Sequence, residues 1–168
     1  MLRTRSTLPA LALLSLTGCG GSAGGDTTGP AAERFTATLA GSSVVPATAS
    51  TSTGTITFEA RDSTLNFSLS VTNMTGITQA HLHNAAAGAN GATLVWLLPV
   101  NGNAAQVPSV TLDGVISLGD IAPGWVRGTP RLAMDSVKAL MRSGRLYVDV
   151  HSSTFGAGEV RGQVARMP

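Results

Sequence analysis

This sequence is poor in the residue types that usually announce chemistry. A single cysteine stands among 168 residues, so no disulfide framework can form within the chain. Charged residues make up only 12%, the formal net charge is +2, and the cations are scattered singly from Arg34 to Arg166. No basic face with interleaved aromatics results, which excludes nucleic acid as a partner. No Gly-x-Gly-x-x-Gly run opens a helix, so the glycines follow turn logic rather than cofactor binding. Ser152 and Ser153 beside His151 do not make a nucleophilic site, because neighbours on a strand point to opposite faces and no elbow or oxyanion motif surrounds them. Long apolar runs are missing too, apart from one near the start. What remains is 43% apolar residues in a background of Thr, Ser, Ala, Gly and Val, enough for one ordinary core and suited to strands and turns.

Met1 to Leu16 reads as an export signal, with Arg3 and Arg5 before an apolar run from Leu8 to Leu14 that is too short to span a bilayer. It ends in Leu16-Thr17-Gly18-Cys19, which resembles the lipobox of bacterial lipoproteins. The resemblance implies a signal peptide over 1–18, acylation at Cys19 and a membrane anchor of several acyl chains. Gly20 rather than an aspartate follows, which in that family permits transfer to the outer membrane or cell surface rather than retention at the inner membrane. Residues 19–33, rich in Gly, Ser and Thr, are expected to be a flexible tether.

The folded part is expected over 34–166. Arg34 to Ala40 alternates Phe35, Ala37 and Leu39 with threonines. Ser52 to Arg61 and Leu65 to Thr72, joined at Asp62-Ser63, form a hairpin with one buried and one solvated face. Further strands are expected around His81, over Thr93 to Leu98, and over Val110 to Leu118 with an interruption at Asp113-Gly114, and a turn at Asn101 to Ala105. One short helix begins near Met134 with Asp135 as its N-cap and ends at Gly144. Leu146 to His151, a Gly156-Ala157-Gly158 turn and a last strand through Val164 complete seven or eight strands. That count and spacing imply an all-β sandwich or barrel of Greek-key type with one short helix.

Two of these strands carry all three histidines. In Ala80-His81-Leu82-His83-Asn84 the imidazoles share one face, their Cα atoms about 6.5–7 Å apart, while Ala80 and Leu82 face the core. In Leu146 to His151 the polar face holds Tyr147, Asp149 and His151. If these faces meet, His81, His83 and His151 form a nitrogen site suited to Cu or Zn. Asp149 or Glu159 then supplies an oxygen ligand or accepts the far ring N–H. The alternative is that the histidines only hydrogen-bond to loop backbone or to these carboxylates. Asp149 with Glu159 is not read as an acid/base pair, because Arg161 is expected to pair with Glu159. Trp96 and Trp125 are read as core or rim residues.

Gln79-Ala80-His81-Leu82-His83, the Gly88-Ala89-Asn90-Gly91 loop, and Tyr147-Val148-Asp149-Val150-His151-Ser152 with Gly158-Glu159-Val160-Arg161-Gly162-Gln163 resemble the CHRD domain, named for chordin, an extracellular antagonist of bone morphogenetic proteins. The resemblance implies an immunoglobulin-like barrel distantly similar to copper/zinc superoxide dismutases. It carries no established biochemical function. Those dismutases draw on more histidines than the three present here, so a bimetallic site cannot be assembled. The chain departs from the family at Asp149, where Asn is frequent, and at Ser152, Asn84 and Phe155-Gly156. The expectation is a lipid-anchored, non-catalytic binding or structural module with an envelope or extracellular protein partner and a His-based metal site. The alternative is a copper-dependent redox protein or metal carrier.

Overall fold

The computed structural model describes residues 32–99 and 107–168. The expected signal peptide over 1–18, Cys19, most of the 19–33 tether and the Asn101 to Ala105 turn lie outside the described residues.

Among the described residues nine strands and one α-helix follow in chain order: β1 (Arg34–Ala40), β2 (Thr53–Ala60), β3 (Leu65–Thr72), β4 (Ile77–Asn84), β5 (Ala92–Leu98), β6 (Gly114–Ile121), α1 (Met134–Arg142), β7 (Leu146–Ser152), β8 (Val160–Gln163) and β9 (Ala165–Arg166). All pairings are antiparallel, in the order β5-β4-β7-β8-β1-β2-β3-β6, with β9 beside β1. The two end strands approach each other, and Ser117 on β6 donates its hydroxyl to the carbonyl of Leu97 on β5 at 2.5 Å. The sheet is therefore a nearly closed barrel, and the connections from β3 to β4 and from β6 to β7 cross to non-neighbouring strands as a Greek key requires.

Alternation builds the core. Phe35, Leu39, Ile56, Phe58, Leu65, Phe67 and Leu69 are all buried to within 1% of full exclusion, and every second residue between them faces outward. Phe58 pairs directly with Phe67 across the β2–β3 ladder, and the Arg61 N–H to Thr64 carbonyl bond closes the Asp62-Ser63 turn. The buried apolar face is what keeps these strands in register, because a one-residue slip would turn each phenylalanine into solvent.

Two boundaries differ from expectation. The helix N-cap is Ala133, not Asp135, which lies inside the first turn where its charge favours the helix dipole without a capping bond. The sixth strand begins at Gly114 rather than Val110. Val110 makes only an isolated bridge to Ile77, and Asp113 leaves the ladder to accept the backbone N–H of Asn73 at 2.7 Å. At the other end of α1, Gly144 has φ of 64°, its N–H bonds to Met141 and that of Arg145 bonds to Leu140, the double bond pattern that ends a helix on a glycine. Lys138 reaches from α1 to the carbonyls of Arg61 and Asp62 at 2.6 and 2.9 Å, holding the helix to the hairpin turn.

Candidate metal centre

The pairing of β4 with β7 brings the histidines together. His81 lies directly opposite Asp149, His83 opposite Tyr147 and Gln79 opposite His151. His83 and His151 are thus diagonal neighbours of the His81–Asp149 pair, close enough for ring-bearing side chains to touch.

They converge on one point. Asp149 Oδ1 lies 3.4 Å from His81 Nδ1, 3.2 Å from His83 Nε2 and 3.2 Å from His151 Nε2. His81 Nδ1 and His151 Nε2 are 3.0 Å apart. One ligand-capable atom from each of the four residues lies within 4.8 Å of the others. All four are buried, with 5–9% of their surface exposed.

Backbone carbonyls orient two of the rings. His83 Nδ1–H donates to Gly91 O at 2.9 Å, and His151 Nδ1–H donates to Gly156 O at 3.0 Å. With Nδ1 committed to a carbonyl, each of these rings turns Nε2 to the centre, where it is a lone pair when the ring is neutral and an N–H donor to Asp149 when the ring is protonated. Gly91 can approach only because it lacks a side chain: a Cβ there would collide with the carbonyl of Asn84. Its N–H donates to the Tyr147 hydroxyl, and Tyr147 stacks on His83 with centroids 4.7 Å apart and planes 2° from parallel. Arg161 lies 3.4 Å above the Tyr147 ring and donates to Asn90 Oδ1 and Ala89 O at 3.0 and 2.7 Å. It therefore pins the 85–91 loop over the histidines. On the other side Trp96 meets His81 edge to face at 4.2 Å, so it lines the centre rather than serving only as a rim residue.

The electrostatics follow from this packing. Burial opposes the Asp149 charge, but hydrogen bonds from His151, His81 and His83 outweigh it and hold the carboxyl far below the usual carboxylate range. Burial also works against a charged His151, yet the Asp149 hydrogen bond and charge win and raise its pKa. For His81 burial prevails and the pKa falls. Its Nε2 is buried without a hydrogen-bond partner.

Glu159 is placed elsewhere. Its Oε1 accepts from Ser50 and Ser52 at 2.7 and 2.8 Å, and its backbone carbonyl accepts from Thr48, so it anchors the 44–52 loop and is not one of the four clustered residues. The expected Glu159–Arg161 pairing gives way to Arg161 with Tyr147, Ala89 and Asn90. Sequence reasoning missed the carbonyls of Gly91 and Gly156, because a backbone acceptor has no residue signature. The glycine at 91 was the only hint.

The fold and this cluster coincide with a known domain. The CHRD domain model matches residues 35–164, more than half of the 168 residues. The chain belongs to the CHRD domain family. The match covers both halves of the cluster, His81 and His83 on one strand and Asp149 and His151 on the other. No curated protein and no solved structure matched the chain.

Proposed function

We propose that this CHRD protein is an exported lipoprotein, anchored at Cys19 in the outer membrane or at the cell surface, whose domain is a non-catalytic binding module holding one transition-metal ion on His81, His83 and His151. One observation carries the metal reading. Two rings have their Nδ1–H groups committed to carbonyls, so in their neutral state the lone pairs of His83 Nε2 and His151 Nε2 both face Asp149 Oδ1, at 3.2 Å. Lone pairs and a carboxylate oxygen repel unless protons or a cation stand between them. A divalent ion supplies that charge, and ring N–H groups bound to backbone carbonyls are the usual support of metal-ligating histidines. Zinc and copper both suit the donors.

Titration of the full chain in detergent with Zn²⁺, or with copper under anaerobic conditions, is expected to saturate at one ion per chain. A His81→Ala, His83→Ala double variant that binds as much as the parent would remove the site. The anchor is supported by Leu16-Thr17-Gly18-Cys19 and the glycine-rich run after it. Cys19→Ser is expected to move the chain from the membrane fraction to the soluble one.

A copper carrier or redox protein is the second reading, favoured by the same three-imidazole donor set. It requires an open coordination position or an exchangeable ion, which separates it from a static site.

A further inference from the structure

Resting on that metal reading, we propose that Asp149 is itself the fourth ligand, so that the centre is a closed tetrahedral chamber of three nitrogens and one oxygen for a zinc-type ion. The ion cross-links β4, β7 and the two flanking loops and is not a reaction centre.

The argument begins with what Asp149 touches. A carboxylate that supports a ligand from outside accepts the ring N–H on the side away from the metal. On His83 and His151 those far N–H groups belong to Gly91 and Gly156. Asp149 Oδ1 instead contacts Nε2 of both rings and Nδ1 of His81, the same nitrogens that point at the centre. It occupies a ligand's place.

The spacing agrees. Bonds of 2.0–2.2 Å in tetrahedral array set ligand atoms about 3.3–3.5 Å apart. The three edges from Oδ1 are 3.2, 3.2 and 3.4 Å and the edge from His81 Nδ1 to His151 Nε2 is 3.0 Å, while the two edges from His83 Nε2 to the other nitrogens lie within 4.8 Å, so an ion would draw the His83 ring inward to close the base. An ion with no geometric preference of its own fits such a cage, whereas Cu²⁺ prefers a tetragonal one.

The chamber is also shut. The four side chains are only 6–11% exposed. Trp96 packs against His81 and Tyr147 stacks on His83. A four-coordinate ion on these atoms would leave no ligand position for water or a substrate anion.

Co²⁺ reports this geometry directly. The full chain in detergent, loaded with one equivalent of Co²⁺, is expected to show the intense visible bands of a tetrahedral ion, unchanged by excess azide and abolished by Zn²⁺. Weak bands of a five- or six-coordinate ion, or a shift on adding azide, would overturn the closed site while leaving the three-histidine site standing. Failure to bind Co²⁺ or Zn²⁺ at all would overturn both. Affinity alone does not separate a ligand from a support, since losing either weakens binding about 10–100-fold or more. Asp149→Asn is therefore read by its spectrum. Bands that change shape and respond to azide support direct ligation, and bands identical to the parent's overturn it. The parent's azide response needs no variant and keeps the test decisive if Asp149→Asn does not fold.

Discussion

The β2–β3 hairpin and the β4–β7 pair are both antiparallel ladders with one face in the core, and they differ in what covers the other face. In the hairpin the outer residues, Thr55, Thr57, Glu59, Asn66, Ser68 and Ser70, are exposed or half-buried. In β4–β7 the outer residues His81, His83, Tyr147, Asp149 and His151 are 3–9% exposed, and β7 is buried along its whole length. The loops around 44–52, 85–91 and 154–158 form a second cover there. The same polar alternation thus marks a solvated face in one place and an interior network in the other, and what separates them is whether water or the protein's own loops cover the polar atoms.

That contrast is sharpest at Asp149. In metal-free protein at pH 6, Asp149→Ala strips the counter-charge from buried His151 and the shared acceptor from the cluster, and is expected to cost about 3 kcal/mol in urea unfolding. A loss below about 0.5 kcal/mol would make this face behave like an ordinary surface.

Arg161 tests the cover rather than the cluster. Arg161→Met removes two charged hydrogen bonds and the contact with Tyr147, with an expected cost of about 1.5 kcal/mol. It also frees the loop that orients His83, so Zn²⁺ affinity measured against a chromophoric chelator is expected to fall about tenfold. Arg161→Lys recovers little of either, because a point charge cannot fork to Asn90 and Ala89 while lying flat on a ring.

The pH dependence of the metal-free protein is weaker still, because two shifts oppose each other. His151, raised, contributes stability that is present below its unfolded value of about 6.5 and lost as pH rises through its folded value. His81, lowered, contributes stability that is present above about 6.5 and lost as pH falls toward its folded value. Asp149, lowered, gives stability that is lost only on acidification below about 3.9, so it is constant across this window. Between pH 5 and 7 the net change in unfolding free energy is expected to stay under about 1.4 kcal/mol, the equivalent of one pKa unit. His81→Phe removes one side of the balance and leaves stability that declines as pH rises.

The same contrast explains what could be read from the residues alone. The hairpin was legible because its period of two, its turn and its solvated face all agree. The cluster was legible in part: His81, His83, Asp149 and His151 stand at alternate positions on strands whose apolar faces are clear, and only their pairing had to be supplied by the fold. Glu159 and Arg161 share that alternation and go elsewhere, because Ser50, Ser52, Ala89 and Asn90 reach them from loops whose paths no periodicity encodes. The carbonyls that set the ring tautomers were invisible for the same reason. The Asp113-Gly114 interruption is where β6 begins, because Asp113 turns away to Asn73, and Asp135 looks like a local cap signal while its place is inside the first turn of α1.

The smallest effect belongs to the hairpin's outer face, and it calibrates the others. Thr57 lies directly opposite Ser68, exposed beside a half-buried partner, and no buried polar atom loses a partner if its hydroxyl is removed. Thr57→Ala is expected to change stability by less than about 0.5 kcal/mol and to leave Zn²⁺ affinity unaltered. Its residual cost is the weaker fit of alanine to a pleated surface, which is a property of the strand and not of a network. If urea unfolding gave Thr57→Ala the cost expected of Arg161→Met, protein cover would no longer distinguish the two faces, and the large value at Asp149 would have to come from strand pairing alone.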